Sequence, residues 1–299
     1  MTDPLEVLRQ PLVPLAPDPA FAASLRDRIR RALGETEESG QPEGEQAMSA
    51  SARVLTAAEG DVVYLSLQVP DAARAREFYG AVLGWRFGVS DEPGAERERS
   101  RRQVQDQALH IGIWDGAVAD GVGNPGVFVV RRVADVAAAV RRVRELGGTA
   151  NDPYQDEHGV MSNCLDDQGN GFTLVEIPPG EPRSPVNGEG PGDVAYLTIS
   201  LPDEVRASRF YGGLFGWEFP QGSVAHGLNV GGPHPMTGIY GGAGRQPVEL
   251  QFRVADVAAA VRRVRELGGT ATDPDQRPYG VAADCVDNQG LVFGIVDLS

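Results

Sequence analysis

Nineteen consecutive residues, Arg132 to Ala150 (RVADVAAAVRRVRELGGTA), recur unchanged as Arg253 to Ala271. One structural unit is therefore present twice, and the chain must fold as two related bodies. The repetition extends beyond the identical stretch. Tyr64-Leu65, Pro70-Asp71, Phe78-Tyr79-Gly80 and Gly84-Trp85 return as Tyr196-Leu197, Pro202-Asp203, Phe210-Tyr211-Gly212 and Gly216-Trp217. The offset is 132 in the front half of the unit and 121 in the back half, so the first copy carries 11 extra residues. They fall most simply in the charged run Asp91 to Gln103.

A chain of 299 residues carries two domains of ordinary size, and each unit of about 120 residues can bury its own core. The boundaries read as a Pro-rich segment and amphipathic helix over 1–34, a linker over 35–59, a first domain over 60–180, a linker over 181–191 and a second domain over 192–299. In the N-terminal segment Asp18 caps a helix with Pro19 at its first position. Phe21, Leu25, Ile29 and Leu33 form one face and Gly34 the stop. That helix packs on the folded body, or it docks a second copy or a partner protein. The Glu/Gly/Gln/Ser/Pro composition after it buries too little apolar area to order itself.

The net charge of −15 (27 basic against 42 acidic residues) repels phosphate backbones and argues against nucleic acid as a partner. No apolar run reaches the roughly 18 residues of a spanning helix, and the N-terminus lacks the basic-then-apolar pattern of a signal peptide. Membrane is thus not an expected partner. Cys164 and Cys285 occupy the same position in the two copies and read as unpaired core thiols, which fits a cytoplasmic location.

Each copy holds two amphipathic helices of one design. They start at Asp71, Asp135, Asp203 and Asp256, and end at Leu83-Gly84, Leu146-Gly147, Phe215-Gly216 and Leu267-Gly268. Strands are expected over Val62 to Val69, Val194 to Leu201, Val127 to Val133 and Val248 to Val254, one before each helix. Shorter strands follow: Leu109 to Trp114, Met161 to Leu165, Phe172 to Ile177, Ala282 to Val286 and Val292 to Val296. Asp167-Gln168-Gly169 and Asn288-Gln289-Gly290 are hairpin-turn sequences.

That order, with FYGAVLGW and FYGGLFGW closing the first helix of each copy and Asp-x-Gln-Gly between the last strands, resembles the vicinal oxygen chelate superfamily. Its members include glyoxalase I, extradiol dioxygenases and bleomycin-resistance proteins. The resemblance spans about residues 60–178 and 192–299. It implies an α+β fold: tandem glyoxalase/bleomycin-resistance/dioxygenase-like domains, each of two βαβββ modules whose sheets enclose a cleft.

The resemblance also implies where metal ligands would stand. The metal-dependent members place a His on the first strand, seven residues before the capping Asp, and a Glu on the last strand. Here the first-strand positions hold Tyr64 and Tyr196, the middle-strand positions Phe128 and Glu249, and the last-strand positions Thr173 and Gly294. A divalent ion needs three or four converging N/O/S donors at about 2.0–2.3 Å, and Glu249 alone is an ordinary ligand. No metal or other cofactor is expected.

The candidate ligand-binding residues are Tyr64, His110, Trp114, Phe128, Thr173, Tyr196 and Glu249. Each has a plainer reading. The tyrosines could occupy the other strand face, His110 could bond to backbone, and Glu249 could be a solvated carboxylate. Trp85 and Trp217 read as core or cleft floor, and Asp91 to Arg102 as a solvated loop or a lid. The expectation that follows is a metal-independent protein of the bleomycin-resistance type that binds an organic, cationic or aromatic, small molecule. The alternatives are an enzyme of the same superfamily, with Tyr64, Tyr196, Glu249 or His110 as acid/base groups, and an interaction module built on the N-terminal helix.

Overall fold

The computed structural model describes residues 57–87, 101–107, 109–115, 125–156, 158–177, 190–220, 222, 224–242 and 246–298. The N-terminal helix and its linker lie outside the described residues. Four helices begin where an aspartate offers its carboxylate to an orphan backbone N–H. In α1 (Ala72–Leu83) Asp71 accepts from Arg74, in α2 (Val136–Glu145) Asp135 from Ala138, in α3 (Glu204–Phe215) Asp203 from Val205 and Arg206, and in α4 (Val257–Glu266) Asp256 from Ala259. Gly84 and Gly216 close α1 and α3 at φ 73° and 71°, a backbone region that glycine enters without steric cost.

The first sheet contains β1 (Val62–Val69), β2 (Arg86–Phe87), β3 (Arg101–Gln105), β4 (His110–Asp115), β5 (Gly126–Val133), β6 (Thr149–Ala150), β7 (Tyr154–Asp156), β8 (Gly159–Leu165) and β9 (Gly171–Glu176). Its order is β2-β3-β4-β1-β5-β9-β8-β6, with β7 also on β8. In each module the first strand pairs parallel with the last, and the modules join through antiparallel β1 and β5.

The second sheet contains β10 (Val194–Leu201), β11 (Gly227–Val230), β12 (Thr237–Gly241), β13 (Val248–Arg253), β14 (Thr270–Ala271), β15 (Asp275–Arg277), β16 (Gly280–Val286) and β17 (Val292–Asp297). It runs β11-β12-β10-β13-β17-β16-β14, with β15 also on β16. Where the first copy has β2, the second has an isolated bridge from Glu218 to Gly231.

One reading of the charged run is corrected. Arg101 and Arg102, assigned above to a solvated loop, belong to β3, opposite Trp114 and Ile113 of β4. A strand near a sheet edge takes its backbone bonds from its neighbour and needs no apolar alternation to form. Residues 91–100 lie outside the described residues.

The two copies are not beads on a string. The helix-bearing faces of both sheets share one core, in which α1 packs on α4 and α2 on α3. The repeated motifs build this junction. Tyr79 Oη donates to Asp287 across it (3.0 Å), and Tyr211 Oη donates to Asp166 (2.8 Å). The Gln289 amide clamps the backbone N–H and C=O of Asp71 at 2.8 and 2.9 Å, and Gln168 does the same to Asp203 at 2.9 and 2.8 Å. Trp85 and Trp217, read above as core or cleft floor, are buried and stack against Tyr79 and Tyr211. The Trp85 indole donates to Gly192 C=O and the Trp217 indole to Glu59 C=O.

The second glycine of each Leu-Gly-Gly sequence has a steric reason. A Cβ on Gly148 would lie 2.5 Å from Leu165 C=O and 2.9 Å from Phe210. One on Gly269 would lie 2.6 Å from Val286 C=O and 3.1 Å from Phe78. Gly269→Ala is therefore expected to cost roughly 1–2 kcal/mol through overpacking against backbone that cannot yield. Urea unfolding checks this; a change below half that size would show that the junction can relax.

Both cysteines are buried, and neither forms a disulfide. Burial pushes the Cys164 thiol up to about 11, which suits a core residue. Among the described residues no helix is long and apolar enough to cross a membrane.

Candidate functional site

Because strand side chains alternate, the residues between the core positions of each sheet fall on the face turned away from the helices. In β1 the core takes Leu65, Leu67 and Val69, which leaves Tyr64, Ser66 and Gln68 on the helix-free face. Cross-strand pairing then fixes which side chains meet. Tyr64 pairs with His110 of β4 and Val130 of β5, Val130 with Thr173 of β9, and Thr173 with Asn163 of β8. His110, Tyr64, Val130, Thr173 and Asn163 thus form one row across five strands. Phe128 lies one row along, opposite Ser66, and Trp114 stands further along β4, opposite Gln68.

This face carries its own apolar cluster. Val130, Met161 and Val175 are buried, and Val63, Tyr64, Phe128 and Ile177 pack against them. Polar groups punctuate it. Thr173 Oγ1 donates to Asn163 Oδ1 (2.7 Å), and the Gln103 amide approaches Tyr64 Oη at 3.4 Å. His110 is exposed at the rim.

The second sheet presents the corresponding face with different chemistry. Tyr196 pairs with Gln251, Gln251 with Gly294, and Gly294 with Asp284. Glu249, half-buried, lies opposite Thr198. The apolar cluster there shrinks to Ala195, Ala282 and Val296, with Tyr279 and Leu298 beside it. Arg277 donates to Asp284 (3.0 Å) and to Tyr279 Oη (3.2 Å).

The seven candidates therefore divide between two faces: five on the first sheet, and Tyr196 and Glu249 on the second. One equivalence needs correction. Phe128 and Glu249 match Tyr64 and Tyr196 by distance from the helix cap, yet neither sits beside its tyrosine. The first strands of the two modules run antiparallel, so positions equal by counting become diagonal neighbours, and Val130 and Gln251 fill the adjacent places. Counting from the caps missed both. It also missed Gln103, hidden in the charged run, and Asn163, at an alternate position of β8.

The donor set does not fit the family's metal. The first row offers His110, Tyr64, Val130, Thr173 and Asn163, the second Tyr196, Gln251, Gly294 and Asp284, and neither supplies three imidazole, thiolate or carboxylate ligands. Among the described residues no group of three or more His, Cys, Asp or Glu side chains stands close enough to hold an ion.

The junction between the copies holds perturbed groups of its own. Burial raises the carboxyls of Asp166 and Asp287 and pushes the hydroxyls of Tyr79 and Tyr211 well above the usual phenol range. At the start of α3, His226 Nδ1 lies 2.8 Å from Glu204 Oε1, and that hydrogen bond holds the Glu204 carboxyl low.

This geometry of paired strand–helix–strand modules, duplicated and joined through their helices, is that of the vicinal oxygen chelate superfamily. The glyoxalase-like domain model matches residues 63–175 and 196–293, and the chain belongs to that family. The chain is 29% identical over 266 residues to the anthracycline biosynthesis protein DnrV of Streptomyces peucetius, covering 81% of this chain and 94% of that one. It is 33% identical over 129 residues to the anthracycline biosynthesis protein DauV of Streptomyces sp. (strain C5), covering 41% and 44%. Among solved structures it resembles a catechol 2,3-dioxygenase (TM-score 0.56, 15% identity, 80% of this chain and 88% of that one). It also resembles the Mn(II)-bound glyoxalase of Novosphingobium aromaticivorans (TM-score 0.57, 14% identity, 82% and 85%). At these identities the structural likeness is one of fold.

Proposed function

We propose that this protein binds a fused-ring aromatic natural product, or a precursor of one, on the helix-free face of its first sheet, without a metal ion. The observation that carries the reading is the apolar cluster around Tyr64, Phe128 and Val130 on a face that no helix among the described residues covers, punctuated by the Gln103 amide, Thr173 and Asn163. An apolar surface with few, fixed polar groups suits a flat, mostly apolar ligand carrying hydroxyl or carbonyl groups. The relatives named for anthracycline biosynthesis support the same ligand class.

The test uses 1,8-dihydroxyanthraquinone as probe, in thermal-shift and titration measurements. A ligand that binds only the folded state must raise the melting temperature. Tyr64→Ala is expected to weaken the probe at least about tenfold, the affinity equivalent of a lost aromatic contact. No stabilisation by any fused-ring probe, or binding unaltered in Tyr64→Ala, would overturn the reading. One stoichiometric metal ion per unit in purified protein would overturn its metal-free part.

A second reading rests on one pairing. His110 stands directly across from Tyr64, so an imidazole and a phenol share the rim where a bound ring would lie. They could move a proton on a bound phenolic or keto group. Turnover of an aromatic precursor that is lost in His110→Ala while binding persists would favour that enzyme reading over simple carriage.

A further inference from the structure

Tyr64 projects from β1, yet its hydroxyl lies 3.4 Å from the Gln103 amide on β3, and β4 runs between the two. The side chain therefore reaches across β4 rather than pointing away from the sheet. What permits this is Gly112. A Cβ there would sit 2.2 Å from Tyr64 Oη and 3.2 Å from Cζ. The second copy repeats the device. A Cβ on Gly238 of β12 would sit 2.0 Å from Tyr196 Oη and 3.0 Å from Cζ, and Asn229 of β11 pairs with Gly238 as Gln103 pairs with Gly112. Neither glycine has the positive φ that would otherwise account for it.

We infer that Gly112 and Gly238 are specificity-determining residues: they let Tyr64 and Tyr196 lie flat as ring platforms, on which a planar aromatic group stacks. The inference rests on the ligand reading above and deepens it, since it selects flat ligands over puckered ones of equal volume. A ring laid on the sheet offers its whole face to an incoming ring. An upright ring would offer only its edge and would fill the space the ligand needs. Gly112→Ala lifts the ring at little cost to the fold, because the displaced atoms are the far end of a side chain that can rotate.

The experiment combines a ligand-free and a ligand-bound measurement on the full chain. In the free protein the Gly112 Hα resonances should be displaced by the neighbouring Tyr64 side chain and return to ordinary positions in Tyr64→Leu. For 1,8-dihydroxyanthraquinone, Gly112→Ala should weaken binding about tenfold, whereas in a Tyr64→Leu background the same glycine change should cost less than about twofold. Adamantane-1-carboxylate, a caged probe, should not lose affinity in Gly112→Ala. An unshifted Gly112 resonance, unchanged anthraquinone affinity in Gly112→Ala, or an equal loss in both backgrounds would overturn the platform while leaving the cleft reading standing. A wild-type chain that binds no fused-ring probe would overturn both.

Discussion

Arg131→Ala is expected to lower unfolding free energy by about 3–4 kcal/mol, the largest loss of any single side chain outside the aromatic core. Arg131 is fully buried, its guanidinium lies 5.0 Å from the centre of the Trp217 ring, and its Nη1 donates to Gly60 C=O at 2.9 Å. Burial pulls its proton affinity down, to about 10, against the pull of Tyr211 and Asp61, so it remains charged near neutrality. Truncation opens a cavity, removes the stacked cation and leaves a buried carbonyl unpaired. Relief of the guanidinium's desolvation offsets only part of this. The duplication supplies an internal control. The matching residue in the second copy is Phe252, whose ring packs edge-on against Trp85 at 5.2 Å. Arg131→Phe refills the volume and should cost only about 1–2 kcal/mol, chiefly the unpaired Gly60 carbonyl. Urea denaturation of the two variants decides it. Equal losses would mean that the charge, rather than the filled space, holds this corner of the junction.

Asp287→Ala is the second. Asp287 Oδ1 accepts from the backbone N–H groups of Gln289 and Leu291, both at 2.8 Å, and Oδ2 accepts from Tyr79 Oη. Three donors in a closed junction lose their partner together, and about 1 kcal/mol for each gives a loss near 3 kcal/mol. Asp166→Ala should cost a similar amount, because Asp166 plays the same part for Gln168, Asn170 and Tyr211.

The pH dependence has a definite sign. Burial, opposed by the turn's hydrogen bonds, raises the Asp287 carboxyl above its ordinary value. A folded-state value above the unfolded one favours folding while the group is protonated. That contribution is complete below the ordinary carboxylate range and is lost as pH rises through the raised folded value. Asp287→Asn keeps an uncharged acceptor in the turn. The wild type should therefore lose stability relative to Asp287→Asn across that window on going from acid to neutral. A wild type that gained on the variant instead would mean that the three hydrogen bonds outweigh desolvation.

These junction residues show how far the primary structure could be read. Phe78-Tyr79-Gly80 and Asp287-Asn288-Gln289-Gly290 have sound local readings, part of an amphipathic helix and a hairpin turn, and both are correct. Neither motif announces that Tyr79 and Asp287, 208 positions apart, share a proton donor and acceptor. The helix caps were visible because a cap is a contact between neighbours three residues apart. The long strands were visible because alternation over eight residues leaves a pattern. Short or edge strands such as β3, β6, β11 and β14 leave none, since their bonds come from a partner strand.

The candidate site divides in the same way. Tyr64, Phe128, Thr173, Tyr196 and Glu249 could be picked out by counting from the helix caps and turns. Their neighbours could not, because antiparallel register decides who stands beside whom, and register is set by the whole sheet.

A chain met only as letters already revealed that one unit is used twice and where its helices start and stop. All of these are properties of short stretches or of comparison between stretches. That the copies fuse through a shared aromatic core, that Val130 and Gln251 flank the tyrosines, and that glycines on a neighbouring strand leave room for the tyrosine hydroxyls was decided only in three dimensions. Such facts depend on contacts between residues far apart in the chain, whose energies are set by packing and register rather than by local preference.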